Sequence, residues 1–196
     1  MHSSRLPVIA QTAFLVACAD QSVLLNSERI EQHFGNYGIE VLPSEAGIRR
    51  SSLFSYVGEA KTCRTYAVVE FAGDIDPRIE AAHKLIEAGS SIGATLREQG
   101  WDILKHTLHI GEMRVPDATG EIRQLMRLEG PQVVAVHAYR LVVAAGETEL
   151  AYATILEAHH PEYLGASDLL DIYGPEPGER LSGAELTQFT DLLIGR

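Results

Sequence analysis

The sequence predicts an α+β domain in which an antiparallel sheet of about five or six strands has its helices packed on one face. Two observations predict this class. Helical and strand patterns occur in groups rather than in alternation, which favours an antiparallel sheet over a doubly wound α/β fold. The two longest strand patterns, 131–144 and 149–159, are joined by Ala145-Gly146-Glu147-Thr148, a strong hairpin signal.

The first half of the chain predicts one helix and two or three strands. The helix is expected to begin at Asn26, a capping residue, and to end at Gly35. The segments 39–42 and 47–57 follow as a bent strand or a hairpin. The segment 62–72 is rich in β-branched and aromatic residues and predicts a core strand.

The second half predicts further helices before and after its strands. Helices are expected over 76–89 and 90–100, because proline is tolerated in the first turn of a helix and serine caps one. The segment 101–113 alternates as a strand does, and 116–130 is a polar loop with one helical turn. A short helix is expected from 182 or 183 to 194.

Composition and charge limit the partners of this protein. At 196 residues, 45% of them hydrophobic, the chain can bury one core, and a single domain is expected. A formal net charge of −11 argues against nucleic acid or an anionic membrane surface as a partner. The densest basic pair, Arg49-Arg50, is expected to be a solvated strand edge. Neither Gly-x-Gly-x-x-Gly nor a Walker A motif occurs, so no cofactor is expected.

Histidines and cysteines predict neither a metal site nor a disulfide. His109, His137 and His159 could supply zinc donors, but no tight ligand motif joins them, so no metal is expected. Cys63 lies at a strand start with no base beside it in sequence, which predicts a packed thiol. The second cysteine is Cys18, and its removal or lipidation would leave Cys63 alone.

The N-terminus resembles an export signal. The uncharged apolar run 6–19 has the length of a signal h-region, and it ends either in a peptidase site before Asp20 or in a lipobox at Cys18. We therefore expect a signal at 1–19 and one domain at 20–196, periplasmic or lipid-anchored. If the run is instead a buried first element, the protein is cytoplasmic. No stretch has the roughly 20 apolar residues of a membrane span.

A carboxylate site is predicted from two strands and one helix start. A helix beginning at Ser91 exposes unpaired N–H groups, and Gly93 in its first turn admits a ligand close to the backbone. Arg64 at a strand start can grip a carboxylate with two hydrogen bonds. Glu157 ends an apolar strand face and needs a partner. The alternative is that Arg64 and Glu157 pair with each other and no ligand binds.

Short segments of the chain resemble, in order, those of chorismate lyase and of the related UTRA ligand-binding domain of GntR-type regulators. The family motifs are Leu-Leu-x-Asp-Ser-Met, Arg-Glu-φ-x-Leu (φ is apolar), Leu-Gly-Arg-Tyr-Leu, Phe-Ile-Glu-Ile-Gly and Thr-Glu-x-φ-x-Pro. The similar segments here are Leu24-Leu25-Asn26-Ser27, Arg64 with 66–69, 91–96, Leu108-His109-Ile110-Gly111, and 156–164. The resemblance covers roughly 22–165 and implies a chorismate lyase-like fold.

The resemblance also implies roles for these residues. Arg64 would hold an aromatic carboxylate, Ile92 with Gly93 would close over the ligand, and Glu157 would meet a para-hydroxyl group. Ala94 stands where the family has an arginine, which removes a cation for the second carboxylate of chorismate. We therefore expect binding of a small organic, aromatic carboxylate. The alternatives are a pyruvate-eliminating lyase that converts chorismate to 4-hydroxybenzoate, and an exported interaction protein without a small-molecule ligand.

Overall fold

A computed structural model describes residues 24–44, 47–115, 120–174 and 181–194. The predicted signal at 1–19, with Cys18, lies outside these residues. Within them, six strands form one antiparallel sheet in the order β1-β2-β3-β6-β5-β4. The strands are β1 Gly38–Leu42, β2 Ile48–Val57, β3 Ala60–Phe71, β4 Asp102–Val115, β5 Gln132–Ala145 and β6 Thr148–His159. The α+β class and the antiparallel sheet are confirmed.

The described residues also form six helices. They are α1 Asn26–Phe34, α2 Glu80–Glu87, α3 Ile92–Glu98, α4 Glu121–Met126, α5 Ala166–Tyr173 and α6 Gly183–Ile194. The helix predicted over 76–89 begins later than expected, because the Asp76 side chain accepts the N–H of Arg78 at 2.9 Å and holds a turn there. α5 was not predicted. No helix among the described residues is long and apolar enough to cross a membrane.

The helices cover both faces of the sheet, which differs from the prediction of one face. On one face, α4 and α6 pack through Ile122, Met126, Phe189 and Leu193. On the other face, α2 and α3 bury Ala82, Ile86 and Leu96 together with Ile79, the residue before α2, while α1 and α5 contribute Ile30 and Leu169. We call the second face the site face, because the cavity described below opens between it and its helices.

The ends of these elements follow from local chemistry. α1 ends at Gly35, whose φ of 75° is left-handed and is readily adopted by glycine. The loop after it is fixed to the end of β2, since Asn36 Nδ2 donates to the Tyr56 carbonyl at 3.1 Å and Asn36 Oδ1 accepts the Tyr56 N–H at 2.6 Å. The connection from α1 to β1 is therefore held in place beside the site face.

Candidate functional site

A cavity of about 80 Å³ lies between the site face and the first turns of α1 and α3. A buried water needs roughly 10–15 Å³ of such space, so the cavity has room for several waters or a small organic molecule. Its apolar wall comes mainly from the sheet, through Leu53, Ala67, Val69, Leu141 and Ile155. Its polar side chains are Asn26, Ser27, Arg49, Ser51, Ser91, Lys105, Tyr139 and Glu157. An apolar cavity with a few convergent polar groups is the usual form of a small-molecule site.

Four of the five predicted site residues line this cavity. They are Ser91, Ile92, Gly93 and Glu157, which α3 and β6 bring to the same space. The α3 contribution differs from the expectation in one respect. The Ser91 side chain makes no capping hydrogen bond, and the helix is seven residues long, so the charge for an anion must come from elsewhere.

Arg64, the fifth predicted residue, does not line the cavity. Its Nε donates to Ser55 Oγ at 2.9 Å, its Nη1 lies 3.3 Å from Glu162 Oε2, and its guanidinium stacks 3.9 Å from the Phe34 ring centre. Glu157 Oε1 instead accepts the Tyr139 hydroxyl at 3.1 Å. Neither the ligand role of Arg64 nor an Arg64–Glu157 pair is visible in this geometry.

Gly93 permits a close approach to the backbone of α3, but the group that approaches it is the Leu25 side chain rather than an open space for a ligand. A Cβ atom at Gly93 would lie 2.6 Å from Leu25 Cδ2 and 3.1 Å from Leu25 Cδ1. Leu25 is itself part of the cavity wall. The glycine therefore lets the first turn of α3 pack against Leu25, the residue that precedes α1, in the wall of the cavity.

Arg49 on β2 is a site residue that the sequence patterns above did not reveal. It is buried, with 5% exposure, and it lines the cavity. Nε donates to Ser51 Oγ at 3.1 Å, Nη2 donates to the Ser90 carbonyl at 2.9 Å, and Nη1 donates to the Ile86 carbonyl. The two carbonyls come from the C-terminal end of α2 and the residues after it, where a cation is favoured.

The charge of Arg49 has no carboxylate partner among the described residues. Three of its five N–H donors are used, each by a neutral acceptor, so two remain. Burial lowers the pKa of Arg49, and the nearby phenols of Tyr152 and Tyr37 oppose that shift. An anion in the cavity would supply a charged partner for this guanidinium.

The expectation of a solvated edge at Arg49-Arg50 was wrong for Arg49. Arg50 is half-buried on the opposite face of the sheet and lies 3.0 Å from Glu121 Oε2 of α4. Arg49 faces inward with Ser51 and Leu53, and it stands opposite Val69 of the core. This alternation of β2 is the signal that could have identified Arg49 in the sequence.

Lys105 on β4 places a second cation in the cavity wall. Its Nζ lies 4.6 Å from the Tyr139 ring centre and 5.4 Å from that of Tyr173, and it is within 3.4 Å of the Tyr173 hydroxyl. It has no ion pair with a carboxylate in the described part of the chain. With Leu25 and Ile103, Lys105 also lines a groove of about 840 Å³, so the cavity and the groove share a wall.

A buried polar cluster stands behind Glu157. His159 Nδ1 is 3.1 Å from Thr65 Oγ1, and His159 Nε2 is 3.8 Å from Glu157 Oε2. His137 stands opposite Glu157 in the sheet and reaches Thr107 Oγ1 at 3.1 Å. Burial lowers the pKa of His159 to about 4 and that of His137 well below its ordinary value, so both imidazoles are neutral near pH 7.

The described residues offer no metal centre, and the described cysteine is inert. No group of three or more His, Cys, Asp or Glu side chains within them is placed to hold a metal ion. Cys63 is buried, as predicted, and burial raises the pKa of its thiol to about 12, so it stays protonated at neutral pH.

Comparison with known proteins leaves the site to be interpreted from its own geometry. No family model, no curated protein and no solved structure matches the chain.

Proposed function

We propose that this protein binds a small organic carboxylate in the cavity, with Arg49 as the cation that receives it. The single observation that carries the proposal is the buried Arg49 guanidinium, which has two spare donors and no acidic partner among the described residues. A carboxylate matches a guanidinium fork in both charge and geometry. Arg49 therefore takes the role that was expected of Arg64.

The opposite side of the cavity favours a ligand with a ring and a polar substituent. β3 separates β2 from β6, and Glu157 is in register with Ser51, two residues from Arg49, so the backbones at Arg49 and Glu157 are about 12 Å apart. The Arg49 and Glu157 side chains extend into this space from both sides. A single six-membered ring with a substituent at each end would span the distance that remains between the two side chains. The apolar residues between them, such as Val69 and Ile155, would pack on such a ring.

The proposal is tested by thermal unfolding in the presence of benzoate and 4-hydroxybenzoate. A ligand that binds the folded state raises the melting temperature with concentration. We expect this rise in the native protein and its loss in Arg49→Met. Arg49→Lys is the second variant, because it keeps a cation at the end of α2 while it loses the fork. Folding of each variant is checked by circular dichroism.

Arg64→Ala is the matched control for these variants. It removes a buried arginine of the neighbouring strand and its contacts with Ser55 and Glu162, so it lowers stability. It should leave the ligand-dependent rise unchanged. The proposal would be contradicted if the ligand no longer raised the melting temperature of Arg64→Ala but still raised that of Arg49→Met. It would also be contradicted if the native protein bound neither ligand.

The second candidate function is elimination of pyruvate from chorismate, and Lys105 is the observation that favours it. Chorismate carries two carboxylates, and Lys105 supplies a second cation in the cavity wall where Ala94 provides none. Catalysis would then rest on positioning and on charge stabilisation rather than on a covalent nucleophile. Formation of 4-hydroxybenzoate from chorismate, reduced in Lys105→Met, would support the lyase. No product at high protein concentration would leave carboxylate binding alone.

A further inference from the structure

The hydroxyl of Tyr37 is buried without a hydrogen bond to any described residue. Buried hydroxyl groups in native proteins nearly always have a partner, because leaving one unpaired costs free energy. The Tyr37 ring packs against Ile30, Leu53, Ala67 and Tyr163, so the apolar part of the side chain is accounted for. The buried hydroxyl oxygen, by contrast, has no described partner that explains its position.

The surroundings of this oxygen belong to the cavity. The side-chain hydroxyls of Ser91 and Ser27 lie near it, and the charges of Arg49 and Glu157 act on it as well. All four of these residues line the cavity. Tyr37 is not itself part of the cavity lining, but its hydroxyl adjoins the Ser91 and Ser27 side chains, which are.

The residues on both sides of Tyr37 are held by hydrogen bonds to β2. Its neighbour Asn36 exchanges two hydrogen bonds with the backbone of Tyr56. On the other side, Gly38 begins β1 and pairs with Phe54 of β2. A donor that is fixed before the ligand arrives loses little conformational entropy on binding.

We propose that the Tyr37 hydroxyl donates a hydrogen bond to the ligand carboxylate and so completes the anion site of Arg49. The inference rests on the proposed function and adds a neutral donor to the spare donors of the guanidinium. A carboxylate has about four acceptor positions, so it can receive both groups at once. Burial raises the pKa of Tyr37, so its hydroxyl keeps the proton that it would donate at neutral pH.

The test is Tyr37→Phe, which removes one oxygen and leaves the ring. We measure calorimetric binding of benzoate and of benzamide, an uncharged ligand of the same shape, together with the melting temperature without ligand. Benzoate should bind roughly tenfold more weakly, because a hydrogen bond to a charged group is lost. Benzamide binding should change less. The melting temperature should stay the same or rise, because an unpaired buried hydroxyl is removed.

Tyr56→Phe is the matched control, since Tyr56 is about half-exposed and adjoins the same loop. It should change neither affinity nor melting temperature. Unchanged benzoate affinity in Tyr37→Phe, or a lower melting temperature that reveals a structural partner for the hydroxyl, would overturn the inference alone. No benzoate binding by the native protein would instead refute the proposed function, and the inference with it.

Discussion

The contact between Gly93 and Leu25 predicts that a single methyl group at position 93 destabilises the protein and reduces the cavity. The new Cβ would lie 2.6 Å from Leu25 Cδ2, whereas carbon atoms in contact are about 3.5–4.0 Å apart. The Leu25 side chain must therefore move by about 1 Å. The adjacent Asn26 is fixed by hydrogen bonds of 2.9 Å with Thr65 and 2.7 Å with Tyr163, so the movement falls on the side chain.

The magnitude follows from two opposing effects. Overpacking of a well-packed site costs about 1–3 kcal/mol. Replacement of glycine by alanine within a helix gains up to about 1 kcal/mol. We expect Gly93→Ala to lower the free energy of unfolding by up to about 2 kcal/mol, measured by urea denaturation. Benzoate affinity should fall in the same variant, because Leu25 lines the cavity that it must enter.

Two comparisons isolate the contact. Gly183 begins α6, and a Cβ atom added there would meet no other atom within 4 Å, so Gly183→Ala should be stabilising by the helix effect alone. In a Leu25→Ala background the neighbour is removed, and Gly93→Ala should become neutral or stabilising there. A stabilising Gly93→Ala in the native background, equal to that of Gly183→Ala, would refute the close contact.

Two further predictions follow from burial. Because burial lowers the pKa of His159 to about 4, from an ordinary value near 6.5, the unfolded chain binds more protons between these values. The contribution of His159 to the free energy of unfolding should therefore be fully present above pH 6.5 and should be lost toward pH 4, by on the order of 3 kcal/mol. His137 adds a shift of the same direction, so His159→Gln should reduce the dependence of the free energy of unfolding on pH without removing it. An equal dependence on pH in the native protein and in His159→Gln would contradict this prediction. In a Cys18→Ser variant, the Cys63 thiol should not react with a thiol reagent at pH 8 until the protein is unfolded, and rapid labelling of the folded protein would show that the thiol is accessible.

The sheet could be predicted from the sequence because its signals are local. Alternation, β-branched residues and the turn at Gly146 define strands without reference to the rest of the chain. The prediction that all helices lie on one face of the sheet was wrong, although the sequence holds a signal for the second layer. β3 is buried at successive positions 62–69, on both sides of the strand, and such a strand must be covered on both faces. α5 was missed because Gly165 precedes it and supplies no capping side chain.

The alternation of β2 could have identified Arg49, but the position of Arg64 could not be predicted from local signals, because a β-bulge lies at that residue. In the β2–β3 ladder, Leu53 pairs with Thr65 and Phe54 pairs with Cys63, so Arg64 is the extra residue. Beyond the bulge the side chains of β3 point to the faces opposite to those that strict alternation predicts. Counting residues along the strand therefore assigns Arg64 to the wrong face of the sheet. Arg49 lies well before the bulge, where the register is regular and the inward face is set by Val69.

The charge balance of the chain gives an independent reason to regard the cavity cations as functional. The sequence has 27 acidic and 16 basic residues, so carboxylates are in excess. Within the part of the chain that the structure describes, the basic residues with a carboxylate partner include Arg50, Lys61, Arg64, Arg78, Lys84 and Arg97. Arg49 and Lys105 have no carboxylate partner among the described residues. For the buried Arg49 the lack of a charged partner costs more free energy than it would for a solvated side chain. In a chain so rich in carboxylates, a buried guanidinium that has no carboxylate partner among the described residues supports the proposal that an anion from outside binds beside it.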